Sequence, residues 1–157
     1  MIVRKKTDTI VIHCADTKPS MDIGVEEIRE WHTKQRGFDD IGYHYVIRRD
    51  GTKEIGRPLE LQGAHAVKVN GHSIGICLVG GMAADNSPEN NFTLEQHLTL
   101  KDLIKELKEK YTIEDICGHY EVELKKPHCP GFHVKEWLMK EDLLWFGVFY
   151  QRYLKQV

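Results

Sequence analysis

Apolar and polar positions fall into blocks whose periods predict alternating strands and helices. The run TIVIHC (Thr9 to Cys14) is β-branched and apolar, so it reads as a buried strand ending at His13 or Cys14. IGVEEIREWHTKQR then shows helical spacing, with Val25, Ile28, Trp31 and His32 on one face. Glu26 and Glu27 suit its first turn, and Asp22 is a candidate cap. YHYVIRRDGTKEIGR predicts a hairpin turning at Asp50-Gly51. SIGICLVGG (Ser73 to Gly81) is nearly all apolar, as a central strand covered on both faces would be. Thr93 and Gln96 form a capping box that opens a helix with Leu100, Leu103, Ile104, Leu107 and Tyr111 on its apolar face. IEDICGH predicts another strand ending at His119, and FHVKEWLMK and EDLLWFGVFYQRYLKQV predict two helices. The pattern implies an α/β fold: a single domain over residues 1–157, with a central mixed β-sheet flanked by helices.

Composition narrows the function classes. A chain of 157 residues with 41% hydrophobic and 29% charged residues can bury one sizeable core. A net charge of -2 supplies no global attraction to nucleic acid or anionic lipid, so no nucleic-acid partner is expected. No run reaches the length of a transmembrane segment, and MIVRKKTDTIVIHC has no apolar stretch long enough for a signal peptide. The expectation is synthesis in the cytoplasm and a monomeric state. Four cysteines, Cys14, Cys77, Cys117 and Cys129, lack CxxC spacing, and Cys14 and Cys77 read as buried thiols.

The chemistry concentrates in CGHYEVELKKPHCPGFH, Cys117 to His133, which holds two cysteines and three histidines. Imidazole and thiolate favour zinc. A closed structural site would take four ligands, such as Cys117, His119, His128 and Cys129; an open catalytic site would take three. Adjacent His128 and Cys129 do not easily turn onto one tetrahedral centre, and paired ligand knuckles are missing, which favours the open alternative. His13, at the C-terminal end of a strand, stands where α/β sheets present functional groups. By position alone it is compatible with a structural or a functional role.

The ordered runs VIHCADTKPS, IREWH, GYHYVIRRDGT, GAHA, HSIGICLVGG and GHYEV…HCPGF resemble the zinc-dependent N-acetylmuramoyl-L-alanine amidases. The small amidase lysozymes of short-tailed enteric phages are the nearest of these in pattern, and animal peptidoglycan-recognition proteins are more distant. The resemblance spans about residues 8–138 and leaves 139–157 as an extra C-terminal helix. It implies one Zn2+ held by His13, His119 and Cys129, with Tyr43 beside the metal donating a hydrogen bond to the reacting oxygen. It implies hydrolysis of the amide between N-acetylmuramic acid and L-alanine in peptidoglycan, with His65 on the substrate side. Asn70 and His72, in the loop before the apolar strand, are either contacts for the peptide stem or ordinary loop polarity. His44, next to Tyr43, is expected to point to the opposite face of its strand and reads as either a support behind the site or a structural residue.

Two departures stand out. The phage amidases carry a lysine two residues before the ligand cysteine, where this chain has Pro127; either Lys126 reaches the site instead, or His128 or Tyr43 carries the role alone. Where some amidases carry a glutamate on the central strand, this chain has Cys77. The tail after residue 141 is apolar nearly all round and is expected to pack on the domain, a dimer contact or membrane approach being the alternatives. The expected role is a phage or prophage endolysin that reaches the wall through a holin-type pore or another export route. The rivals are a non-catalytic peptidoglycan-binding module and an amidase with an added regulatory role, such as inhibition of a phage RNA polymerase.

Overall fold

The computed structural model describes residues 1–143. The elements run β1 (Thr9–Cys14), α1 (Val25–Glu30), β2 (Tyr45–Ile47), β3 (Lys53–Ile55), β4 (Ser73–Leu78), α2 (Leu94–Lys110), β5 (Asp115–Gly118), α3 (His119–Val122) and α4 (Val134–Lys140). The tail helix expected from Glu141 onward lies outside the described residues except for its first three, where Glu141 and Asp142 form a turn after α4 rather than helix.

The strands form one five-stranded sheet in the order β3-β2-β4-β1-β5. β1 lies parallel to both β4 and β5, β2 is parallel to β4, and the hairpin partner β3 runs antiparallel at the edge. β1 and β4 are buried at every position, as their unbroken apolar runs predict. Alternate residues feed two cores. Ile10, Ile12, Ile47, Ile74, Ile76 and Leu78 pack with Leu100, Leu103, Ile104 and Leu107 of α2 and with Val134 and Leu138 of α4. On the other face Val46, Cys77 and Val79 meet Val25 and Ile28 of α1. The result is a sheet covered by helices on both sides.

Local caps explain where the helices begin. The Thr93 hydroxyl accepts the Gln96 N–H at 3.1 Å, and the Gln96 side chain accepts the Thr93 N–H at 3.0 Å. The Gln96 amide also donates to the Ile47 and Val79 carbonyls at 3.1 and 2.8 Å, tying α2 to the ends of β2 and β4. The start of α1 differs from expectation. Asp22 pairs with Arg48 at 2.8 Å, and the first N–H groups are taken by Glu27 (from Gly24, 2.8 Å) and by Glu54 (from Val25, 2.6 Å). A carboxylate from β3 does what the local aspartate was expected to do. α1 then widens into a π-helical turn over Trp31–Gln35, which carries His32 to the sheet.

Register places the chemistry. Ile12 pairs with Gly118, so His13 and His119 follow side by side at the C-terminal ends of adjacent parallel strands.

Candidate metal centre

His13, His119 and Cys129 come together, all buried, with one potential ligand atom from each lying within 4.8 Å of the others. The Nδ1 atoms of His13 and His119 are 3.1 Å apart, and Cys129 Sγ lies 3.9 Å from His13 Nδ1. Tetrahedral zinc, with bonds of about 2.0–2.1 Å to nitrogen and about 2.3 Å to sulfur, separates its donors by about 3.3–3.6 Å. The observed spacings bracket that range, so the donor set fits zinc in both chemistry and size. The Cys14 N–H donates to Cys129 Sγ at 3.3 Å, which fixes the position of the sulfur. Burial, with His65, His119 and Lys126 nearby, pushes the pKa of His13 well down, leaving a neutral imidazole whose lone pair is free to bind metal.

The outer nitrogens of the two histidines meet different partners. His13 Nε2 is 2.9 Å from His65 Nδ1, and His65 Nε2 is 3.3 Å from the Ser73 hydroxyl. His65 stands behind His13, buried to 8% exposure, and reaches the metal centre through that ring. Its slot depends on glycine: a Cβ at Gly75 would lie 2.5 Å from the His65 ring. The Asn70 side-chain oxygen accepts the His65 and Ala66 N–H groups at 3.0 and 2.9 Å, so it shapes the loop that carries His65. On the other histidine, His119 Nε2 lies 2.6 Å from Glu123 Oε2.

Tyr43 packs against His13 with ring centroids 5.0 Å apart and the ring planes tilted by 52°. Burial pushes its phenol pKa well up, and the neighbouring thiols of Cys77, Cys129 and Cys14 reinforce the shift, so the hydroxyl keeps its proton. His32 also packs against Tyr43, with centroids 5.3 Å apart, and its Nδ1 accepts the Gly42 N–H at 2.9 Å. Lys126 is exposed and lines a cleft beside Cys129 with Asp16, Met82, Ser87, Lys125 and His128. His44 is fully buried: its Nδ1 accepts the Gly75 N–H at 3.0 Å and its Nε2 donates to the Leu61 carbonyl at 2.9 Å. Cys117 is a buried strand residue, Cys77 is a buried strand residue that pairs with His13 in the β1–β4 register, and His133 occupies the N-cap position of α4 without a side-chain cap hydrogen bond.

Sequence reasoning missed Ser73, Gly75 and Glu123. A glycine inside a β-branched strand signals close approach of another group, and a glutamate four residues after a histidine in a helical turn can reach its ring.

Comparison with known proteins agrees with this geometry. The N-acetylmuramoyl-L-alanine amidase family profile matches residues 3–132. The endolysin of Klebsiella phage KP32 is 46% identical over 141 residues, covering 90% of this chain and 91% of that protein. The endolysin of Escherichia phage T7 is 45% identical over 141 residues, with coverage of 90% and 91%. Among solved structures, the N-acetylmuramoyl-L-alanine amidase LysC from Clostridium intestinale URNW superposes with a TM-score of 0.73 at 33% identity, covering 87% of this chain and 86% of that one. With the profile spanning most of the described chain and the sheet register bringing His13 beside His119, the chain belongs to the N-acetylmuramoyl-L-alanine amidase family.

Proposed function

We infer that this chain is a peptidoglycan amidase of the endolysin type, cleaving the amide bond between N-acetylmuramic acid and L-alanine, with one zinc ion held by His13, His119 and Cys129. The observation that carries the reading is the convergence of those three buried donors at the ends of β1 and β5 in a family member. Non-catalytic binding relatives typically lose a metal ligand; here all three positions keep theirs.

When bound, zinc supplies Lewis acidity, acidifying water and polarising a carbonyl. The chain's own groups do the rest. Tyr43, held in its protonated form, donates a hydrogen bond to the oxyanion that develops as the amide carbon is attacked. The Lys126 ammonium, on the cleft wall beside Cys129, adds positive charge near that oxyanion and takes the part left vacant by Pro127. His65 and Ser73 hold the His13 ring, and Asn70 holds the His65 backbone. Buried at 0% exposure, Cys77 has its thiol pKa pushed well up, so it keeps its proton and takes no part in proton transfer.

Among the described residues no helix is long and apolar enough to cross a membrane. The endolysin reading places the target in the cell wall, reached through a holin-type pore or another export route. Digestion of purified cell walls tests the bond assignment. New L-alanine amino termini without new reducing sugar ends are expected; new reducing ends would mean a glycosidase and overturn the reading.

A further inference from the structure

We propose that Glu123 is a positioning residue for the metal centre: its carboxylate fixes the His119 ring and makes that imidazole a stronger zinc ligand. The proposal rests on the zinc reading above. His119 opens the four-residue helix α3 and Glu123 closes it, with the Glu123 N–H donating to the His119 carbonyl at 3.0 Å. That single turn puts position i+4 over position i, so Glu123 Oε2 comes to 2.6 Å from His119 Nε2. The side chains are 26% and 8% exposed, so the contact is sheltered from water. The other glutamate of the turn does something else: Glu121 reaches back and accepts the Gly118 N–H at 2.9 Å.

The geometry fixes the tautomer. With Nδ1 facing His13 and Cys129, the outer Nε2 carries the proton and donates it to the Glu123 carboxylate. A carboxylate behind a ligating imidazole raises its basicity and locks its orientation. The two ligand histidines are therefore unequal: His13 is backed by the His65 imidazole, itself held by Ser73, and His119 by the Glu123 carboxyl group. The loop that lacks the family lysine beside Cys129 thus contributes a carboxylate to the opposite side of the centre.

The test is zinc affinity, measured by competition with a chelator on the full chain, together with the thermal midpoint of the metal-free form. Glu123→Ala should weaken zinc binding by about 10–100-fold. Glu123→Gln, which keeps an acceptor oxygen without the charge, should fall between the parent and Glu123→Ala. The metal-free midpoints of both variants should match the parent. Leu124→Ala, a change at a neighbouring side chain that is 89% exposed, should leave affinity unchanged. Equal zinc affinity in parent and Glu123→Ala would overturn the proposal. So would an equal loss in Leu124→Ala, or a drop in the metal-free midpoint large enough to explain the lost affinity. A parent chain that binds no zinc would overturn the metal reading itself, which separates the two failures.

Discussion

The candidate centre has two sides built in opposite ways. One side belongs to the scaffold: His13 is the fifth residue of a fully buried strand, its ring is backed by His65 and Ser73, and Tyr43 lies against it. The other side belongs to a loop: His119 begins a single helical turn, Glu123 closes it, and an exposed run from Leu124 to His128 leads to Cys129. The scaffold side cannot change without disturbing the core. The loop side lies outside the sheet, so its exposed residues from Leu124 to His128 can change while β1, β4 and β5 keep their packing.

The sharpest way to break this contrast is to remove one ligand from each side. Cys129→Ala and His13→Ala should both abolish amidase activity. The metal-free Cys129→Ala chain should lose only about 1 kcal/mol relative to the metal-free parent, because it removes a small buried thiol and the acceptor of the Cys14 N–H. His13→Ala should also destabilise the metal-free chain by about 1–3 kcal/mol, because it leaves a cavity and an unpaired His65 nitrogen. Equal stabilities measured by denaturant unfolding would erase the distinction.

Tyr43→Phe removes only a hydroxyl from the scaffold side. It should lower kcat by about 10²–10³-fold, equivalent to about 2.7–4 kcal/mol, with zinc content unchanged. A Tyr43→Phe enzyme with parental kcat would take the phenol out of the reaction.

Acid should also attack the scaffold side. Burial holds His32 and His44 at a pKa of about 4 against an ordinary 6.5, and it pushes His13 and His65 well down. The unfolded chain therefore takes up protons below about pH 6.5 that the native chain refuses until about pH 4. Stability of the metal-free form should fall as pH drops through that window, each such histidine adding a slope of up to about 1.4 kcal/mol per pH unit. A flat profile in unfolding experiments between pH 7 and 5 would contradict the neutral, buried state of these rings.

The smallest effect belongs to the loop. Lys126→Ala should slow turnover about tenfold, which is about 1.4 kcal/mol in the barrier, and the loss should shrink at high salt because the lysine is exposed. Unchanged rates would show that this lysine does not replace the one missing at Pro127.

The same contrast explains what could be read from the sequence. The unbroken apolar runs of β1 and β4, the Asp50-Gly51 hairpin and the Thr93–Gln96 capping box are local patterns, and each appears where expected. The order of the strands is not local, and neither is the cap of α1, where Glu54 from a distant strand takes the place expected for Asp22. Composition and spacing alone left His13 undecided, because its partners are 106 and 116 residues away. The resemblance of ordered motifs supplied that long-range information. It did not supply the slot that Gly75 opens for His65, which depends on tertiary packing, or the contact of Glu123 with His119, a local i,i+4 pair that exists only because the chain makes one helical turn after His119.

The most direct test of the central claim is metal reconstitution. The chain is stripped of metal and titrated with zinc while cell-wall amide cleavage is followed. Activity should be absent without metal and should saturate at one zinc per chain, while Cys129→Ala should neither retain stoichiometric zinc nor recover. Full cleavage by the stripped protein, or recovery of Cys129→Ala at one equivalent, would contradict the assignment of His13, His119 and Cys129 as the centre of this enzyme.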